Sequence, residues 1–109
     1  MSRTAVQKAS DAQEKRTAEK YKGSRNAMSG AGWIRKNDVT SHDFLIENKT
    51  VMSPTAKSYS VKAIDMRDLT KRAILEGRVP LLQFDLAGHS YVVLREDDFL
   101  EIAVPDESV

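Results

Sequence analysis

The segment from Ala63 to Glu76 constrains the fold most, because its apolar residues recur at helical spacing and its end is clearly marked. The apolar stripe comprises Ile64, Met66, Leu69, Ala73 and Ile74. Gly77 and Pro80 then stop a helix. The charges suit a helix dipole, with acids in the early turns and bases near the end, namely Asp65, Asp68, Lys71 and Arg72. The pattern predicts an amphipathic helix over 63–76.

Segments with strand character lie on both sides of this helix. Before it, Trp33 to Val39 and Phe44 to Lys49 are joined by a short link, which predicts a hairpin. After it, Leu81 to Leu86 and Tyr91 to Arg95 flank a turn that contains a glycine, which predicts a second hairpin. Ser58 to Val61 is a further short extended candidate.

The N-terminal segment is predicted to form another helix. Residues 1–22 favour a helix by propensity, with Ser10 or Asp11 as candidate N-caps and Gly23 as the C-cap. Their apolar face is thin, so we expect the first ten residues to be disordered.

The whole chain of 109 residues is predicted to form one α/β domain. Asp97 to Ile102 is expected to form a closing helical turn, and residues 104–109 a disordered tail. The resulting order, α-β-β-α-β-β, predicts a sheet flanked by helices.

Composition excludes several classes of protein. The chain has no cysteine, which excludes a disulfide framework, a thiol nucleophile and a cysteine-based zinc site. Its longest apolar runs are too short for a transmembrane span, and the first 36 residues lack an apolar stretch suited to a secretory signal. We therefore expect a cytoplasmic protein without a membrane partner.

The net charge of +1 conceals a strong asymmetry along the chain. Residues 1–36 hold nine Lys or Arg and three Asp or Glu, whereas residues 84–109 hold one and seven. A basic region of this kind favours contact with a polyanion, although solvated end segments would give the same pattern.

The residues with chemical potential lie around the first hairpin. Glu47 and Lys49 are two apart on one strand, so their side chains leave the same face, and Asp38 lies on the neighbouring strand across a short turn. Mg²⁺ commonly takes one or two carboxylates, with water and a substrate phosphate completing its shell. Asp38 and Glu47 are therefore candidate Mg²⁺ ligands, and Lys49 is a candidate for orienting the attacking water.

By itself this spacing more often marks an exposed strand face with a surface ion pair. Three features favour a site: the charges follow the apolar run Phe44-Leu45-Ile46, where unpaired charge is costly; a loop of small residues, 29–32, precedes Asp38; and the N-terminal third is basic.

From about Glu14 to Leu94 the residues resemble the PD-(D/E)XK nuclease superfamily, and within it the small Holliday-junction resolvases of archaea and their phage-encoded relatives. The matching segments are an acid-bearing first helix, Gly23 with residues 24–31, Lys36-Asn37-Asp38-Val39, Ile46-Glu47-Asn48-Lys49, residues 58–62, the helix, and the final hairpin. Asn37 replaces the proline of the family name, and the step from Asp38 to Glu47 is shorter than in some archaeal members. The superfamily is better supported than the resolvase group.

The resemblance implies a restriction-endonuclease-like fold with a central mixed sheet, and cleavage of DNA phosphodiesters with Mg²⁺, for which Mn²⁺ can substitute. It implies that Asp38 and Glu47 hold the metal, helped by Glu14 and the Asn48 backbone carbonyl. Lys49 is then catalytic and Ser29 assists. Glu19 competes with Glu14 for the position on the first helix.

The implied substrate is a four-way or otherwise branched double-stranded DNA, used in recombination and repair. Candidate phosphate contacts near the site are Arg25, Lys36, Lys57 and Lys62. A homodimer is expected, because one small chain holds one site and a roughly two-fold substrate needs two. Two alternatives stay open: a nicking or trimming nuclease of the same superfamily, and a non-catalytic DNA-binding protein on the same scaffold.

Overall fold

A computed structural model describes residues 4–25 and 38–105. Within them the elements, in chain order, are α1 (Ala5–Tyr21), β1 (Ser24–Arg25), β2 (Asp38–Thr40), β3 (Phe44–Lys49), α2 (Ala63–Glu76), β4 (Val79–Leu86), β5 (His89–Val93) and α3 (Glu96–Ala103). The strands form a five-stranded sheet in the order β1-β2-β3-β4-β5. Only the β3–β4 pair is parallel, so the sheet is mixed, as predicted.

Helix α1 begins earlier than the sequence suggested. Thr4 is the N-cap: its side chain accepts from the backbone N–H of Gln7, and the Gln7 side chain accepts from Thr4 in return. The prediction of Ser10 or Asp11 as the cap was therefore wrong, and residues 5–10, which we expected to be disordered, are helical. The Ser10 hydroxyl instead contacts the Thr50 hydroxyl, 2.7 Å away.

The first helix ends at Tyr21, and its C-cap residue is Lys22 rather than Gly23, the glycine predicted to cap it. Lys22 takes the left-handed conformation, with φ 53°. Gly23 is needed for a different reason: a Cβ there would lie 2.6 Å from the carbonyl oxygen of Thr40. Glycine therefore lets the chain leave α1 against β2.

The first hairpin is confirmed where the structure describes it. Strand β2 is described from Asp38 onward, and β3 has its predicted bounds. The backbone N–H of Ser41 donates to the carbonyl of Phe44 at 2.9 Å and closes the turn. Side chains of β3 alternate between the two sheet faces, as expected for a strand buried on both sides.

Helix α2 also has its predicted bounds and carries the chain from β3 to the parallel strand β4. Gly77 caps it with φ 67°. The segment between β3 and α2 contains no strand, so the extended piece predicted at Ser58–Val61 does not join the sheet, and Tyr59 alone packs inward from it.

The second hairpin turns earlier than predicted. Ala87 and Gly88 both have positive φ, 51° and 82°, which is the geometry of a two-residue hairpin loop. Strand β5 therefore starts at His89 and ends at Val93 rather than running from Tyr91 to Arg95. The predicted closing turn is a full helix, α3.

Two small cores lie on opposite faces of the sheet. On one face α2 packs on a core formed by Leu45, Leu69, Ala73, Leu82 and Phe84. On the other, Ala18 and Tyr21 of α1 pack on Val39, Ile46 and Leu81. Helices therefore cover both faces, and in the described part of the chain none is long and apolar enough to cross a membrane.

Candidate functional site

Asp38 and Glu47 face each other across the β2–β3 pair. They are direct partners in the antiparallel register, so their side chains lie on the same face of the sheet. That face is the one covered by α2, because Leu45, two residues before Glu47, packs there. Asp38 is buried, and the Glu47 side chain is 16% exposed.

Lys49 lies two residues after Glu47 on β3, so its side chain is on the same face of the sheet as the two acids. Its Nζ lies 3.2 Å from Glu47 Oε2 and 3.7 Å from Asp65 Oδ2 of α2. The predicted grouping of two carboxylates and one amine on a single sheet face is therefore present.

Sequence reasoning missed Arg72, which lies between the two acids. This residue of α2 donates through Nη1 to Asp38 Oδ2 and through Nη2 to Glu47 Oε1, the latter at 2.7 Å. Its Nε is 3.3 Å from Asp68 Oδ2, and its side chain is 11% exposed. The two acids are thus bridged by a largely buried guanidinium.

The pattern of α2 held a signal for this contact. Asp65, Asp68 and Arg72 recur at spacings of three and four, so they share one helix face beside the apolar stripe. The sequence analysis explained these charges by the helix dipole alone. Their second role, the contact of Arg72 with the two strand acids, depends on how α2 docks on the sheet.

The electrostatic setting keeps Lys49 charged. Burial acts to lower its pKa, but the neighbouring carboxylates Glu47 and Asp65 outweigh that effect and raise the pKa above its usual value. The pKa of Tyr59, which lies close by, is raised, chiefly by burial. An ammonium at this position can donate a proton or stabilise negative charge, but it cannot accept a proton.

Among the described residues, this cluster holds more carboxylates than cationic groups. Four carboxylates and two cationic groups meet there on one face, namely Asp38, Glu47, Asp65, Asp68, Lys49 and Arg72. Among residues 4–25 and 38–105, no group of three or more His, Asp or Glu side chains is arranged to hold a metal ion. Two carboxylates are nevertheless a donor set that Mg²⁺ accepts when water and phosphate complete its shell.

Glu14 lies on the opposite side of the sheet from this cluster. It belongs to α1, is buried, and binds Arg25 Nε through Oε1 at 2.6 Å. Arg25 also reaches Asp11 Oδ1 at 3.3 Å. Glu19, the competing position, is exposed. The structure therefore brings Glu14 and Arg25 together, but on the α1 face rather than beside Lys49.

A buried polar network fixes the backbone that carries Lys49. Gln13 of α1 donates through Nε2 to the Lys49 carbonyl at 2.8 Å and to Gln83 Oε1 at 2.7 Å. Thr17 donates to Asn48 Oδ1 at 2.6 Å. Asn48 therefore turns its side chain to α1, while the predicted metal role of its backbone carbonyl stays a prediction.

Two further predicted residues that the structure describes, Lys57 and Lys62, do not form part of the cluster. Lys57 and Lys62 are both exposed in the segment that links β3 to α2. Lys62 is the N-cap residue of α2. Ser29 and Lys36 lie outside the described residues.

An aromatic row extends from the candidate lysine to the edge of the sheet. Tyr59 stacks on Phe84 with ring centroids 4.5 Å apart, and Phe84 stacks on Tyr91 at 5.7 Å. Phe84 is the register partner of Lys49 on the neighbouring strand. These stacked rings therefore lie along one side of the site.

Comparison with known proteins leaves the family open. No protein-family model, no curated protein and no solved structure matches this chain. The assignment of function therefore depends on the residues and their geometry.

Proposed function

We propose that this protein is a Mg²⁺-dependent DNA endonuclease of the PD-(D/E)XK superfamily that cleaves four-way junctions or other branched DNA. The observation that carries the proposal is the shared sheet face of Asp38, Glu47 and Lys49, with the two acids directly paired. A mixed sheet with helices on both faces is compatible with a restriction-endonuclease-like fold.

The donor types suit a hard divalent cation. Asp38 and Glu47 supply carboxylate oxygens from neighbouring strands, and the Asn48 backbone carbonyl is a further predicted donor. We leave Glu14 out of this set, because its carboxylate is bound to Arg25 on the other face. When bound, Mg²⁺ lowers the pKa of a coordinated water and stabilises charge on the phosphate.

The protein side chains would divide the remaining work. Lys49, whose raised pKa keeps it protonated, would orient the attacking water and balance negative charge that develops on the phosphate. Ser29 and the basic residues of the N-terminal third would position the DNA strand. A homodimer would present two such sites to a two-fold junction.

Cleavage assays with two substrates test the reaction and its selectivity. We expect the wild-type protein with Mg²⁺ to cut a four-way junction faster than a linear duplex of the same sequence. Equal rates would reject junction selectivity and favour the nicking or trimming nuclease.

Substitution of the acids tests the site itself. Asp38→Asn and Glu47→Gln should reduce cutting by more than about 100-fold, the upper range for residues that only support a metal site, with junction binding in Ca²⁺ nearly unchanged. Asp43→Asn is the matched control, because that side chain lies in the same hairpin and is 72% exposed. Loss of activity in the control, or retained activity in both acid variants, would contradict the assignment.

A second candidate function is favoured by the position of Arg72. A guanidinium that permanently neutralises Asp38 and Glu47 would leave a non-catalytic DNA-binding protein on the same scaffold. A wild-type protein that binds junctions but cuts none of them with Mg²⁺, Mn²⁺ or other divalent metals would support this function.

A further inference from the structure

We propose that Arg72 is a displaceable counterion that competes with a divalent cation for Asp38 and Glu47, and so sets how tightly the site binds metal. This inference rests on the proposed function and concerns the regulation of that same site.

The geometry of the arginine matches that of a competitor. Its two terminal nitrogens each bind one of the acids that are predicted to hold the metal, Asp38 through Oδ2 and Glu47 through Oε1. A forked guanidinium with little exposure neutralises a carboxylate pair well. A cation between the same oxygens would be repelled by it and would have to displace it.

The structure also provides a place for the displaced group. Asp68 lies one turn earlier on α2, already contacts Arg72 Nε at 3.3 Å, and has a side chain that is 55% exposed. A rotation of the Arg72 side chain toward Asp68 would end its own contacts with both site acids while the guanidinium keeps an ionic partner. The exchange needs side-chain motion only, since Asp68 and Arg72 share a helix face.

The charges of the described residues favour such an exchange. Among these residues the cluster holds four carboxylates and two cationic groups, so replacement of a single positive charge by a double one reduces the difference between them. Lys49 need not move, because it binds the other oxygen of Glu47, Oε2. Arg72 therefore weakens metal binding, and the contact between Lys49 and Glu47 is kept whether or not the metal is bound.

Metal titration of the protein without DNA tests the competition. We expect Arg72→Gln to bind Mn²⁺ about tenfold or more tightly than the wild type by isothermal titration calorimetry, in line with ordinary coupling between competing ligands. Arg67→Gln, an exposed arginine on the same helix, should leave the affinity unchanged. The double variant Asp38→Asn/Arg72→Gln should lose the added affinity.

The outcomes separate this inference from the proposed function. One outcome is that the wild type and Arg72→Gln bind Mn²⁺ with equal affinity and Asp38→Asn does not bind it. It would overturn the competition and leave the proposed metal site intact. A second outcome is that Arg72→Gln binds Mn²⁺ tightly while the wild-type protein never cuts DNA. It would support the competition and reject the nuclease function. Absence of binding in both would overturn the inference.

A measurement on the wild type covers the case in which Arg72→Gln does not fold. The Arg72 Nε–H resonance should move in ¹⁵N NMR spectra as Mg²⁺ is added, whereas that of Arg67 should not. An Arg72 signal that stays fixed while Mg²⁺ perturbs the Asp38 and Glu47 amides would overturn the proposal.

Discussion

Glu14 combines burial with an ionisable group, and this has a consequence for stability. Burial raises the pKa of its carboxyl, and Arg25 offsets only part of the effect. The folded state therefore holds the proton more tightly than the unfolded state, whose pKa is near 4.5. This contribution to stability is present below that value and is lost as pH rises through the folded pKa.

Glu14→Gln removes this titration. We expect the thermal stability of the wild type, relative to the variant, to fall as the pH is raised from 4 toward 7, with the variant at least as stable at neutral pH. Melting followed by circular dichroism at several pH values provides the measurement. Glu19→Gln, at an exposed position of α1, is the control, and an opposite pH trend for Glu14→Gln would contradict the argument.

At the residue scale, the sequence predicted the acid pair and the lysine but not their counterion. Strand alternation and a short link suffice to place Asp38, Glu47 and Lys49 on one face. Arg72 contacts Glu47 and Asp38, which precede it in the chain by 25 and 34 positions. These contacts depend on how a helix docks on a sheet. Local periodicity shows which side of α2 carries Arg72, but not where on the sheet the helix docks.

At the scale of elements, α1 supports the site through polar rather than apolar contacts. Gln13 satisfies the Lys49 carbonyl, Gln83 and, through its own oxygen, the Thr50 hydroxyl. Gln13→Ala would remove the hydrogen bonds to the Lys49 carbonyl and to Gln83 Oε1, while the Thr50 hydroxyl would keep its contact with Ser10.

We expect Gln13→Ala to lower the free energy of unfolding by about 1–3 kcal/mol. Denaturation in urea measures the change. Lys15→Ala, at an exposed position on the same helix, should change it little, and comparable losses in both variants would show that helix propensity rather than the network is responsible.

The elements with strong local signals were predicted with their bounds. Strand β3 and helix α2 combine clear periodicity with defined ends, and both run as predicted. The start of α1 was missed because its only signal is a polar cap at Thr4. The ends of β5 were missed because the preceding turn holds Ala87 at positive φ, a conformation that alanine rarely adopts.

At the scale of the whole molecule, α3 contributes little to the packing among the described residues. It makes no substantial contact with another described helix or strand, and Phe99, Leu100 and Ile102 on it are 51%, 44% and 55% exposed. Helices α1 and α2, in contrast, each close a core against the sheet.

Amide hydrogen exchange should reflect this difference. We expect the amides of α3 to exchange faster than those of α2 and of strands β3 and β4, because local opening of α3 disrupts little packing. Mass spectrometry of peptides from these segments makes the comparison, with α2 as the packed-helix reference. Exchange of α3 as slow as that of β3 would contradict the prediction and indicate that another surface covers the helix.

The arrangement of the site also bears on the order of events in folding. Asp38 and Glu47 meet within a hairpin, whose partners are close in the chain, whereas Arg72 arrives only when the crossover helix docks. In an isolated hairpin the two carboxylates would repel each other. Docking of α2 relieves that repulsion, so the strand pair and the helix favour one another and reach their native arrangement together.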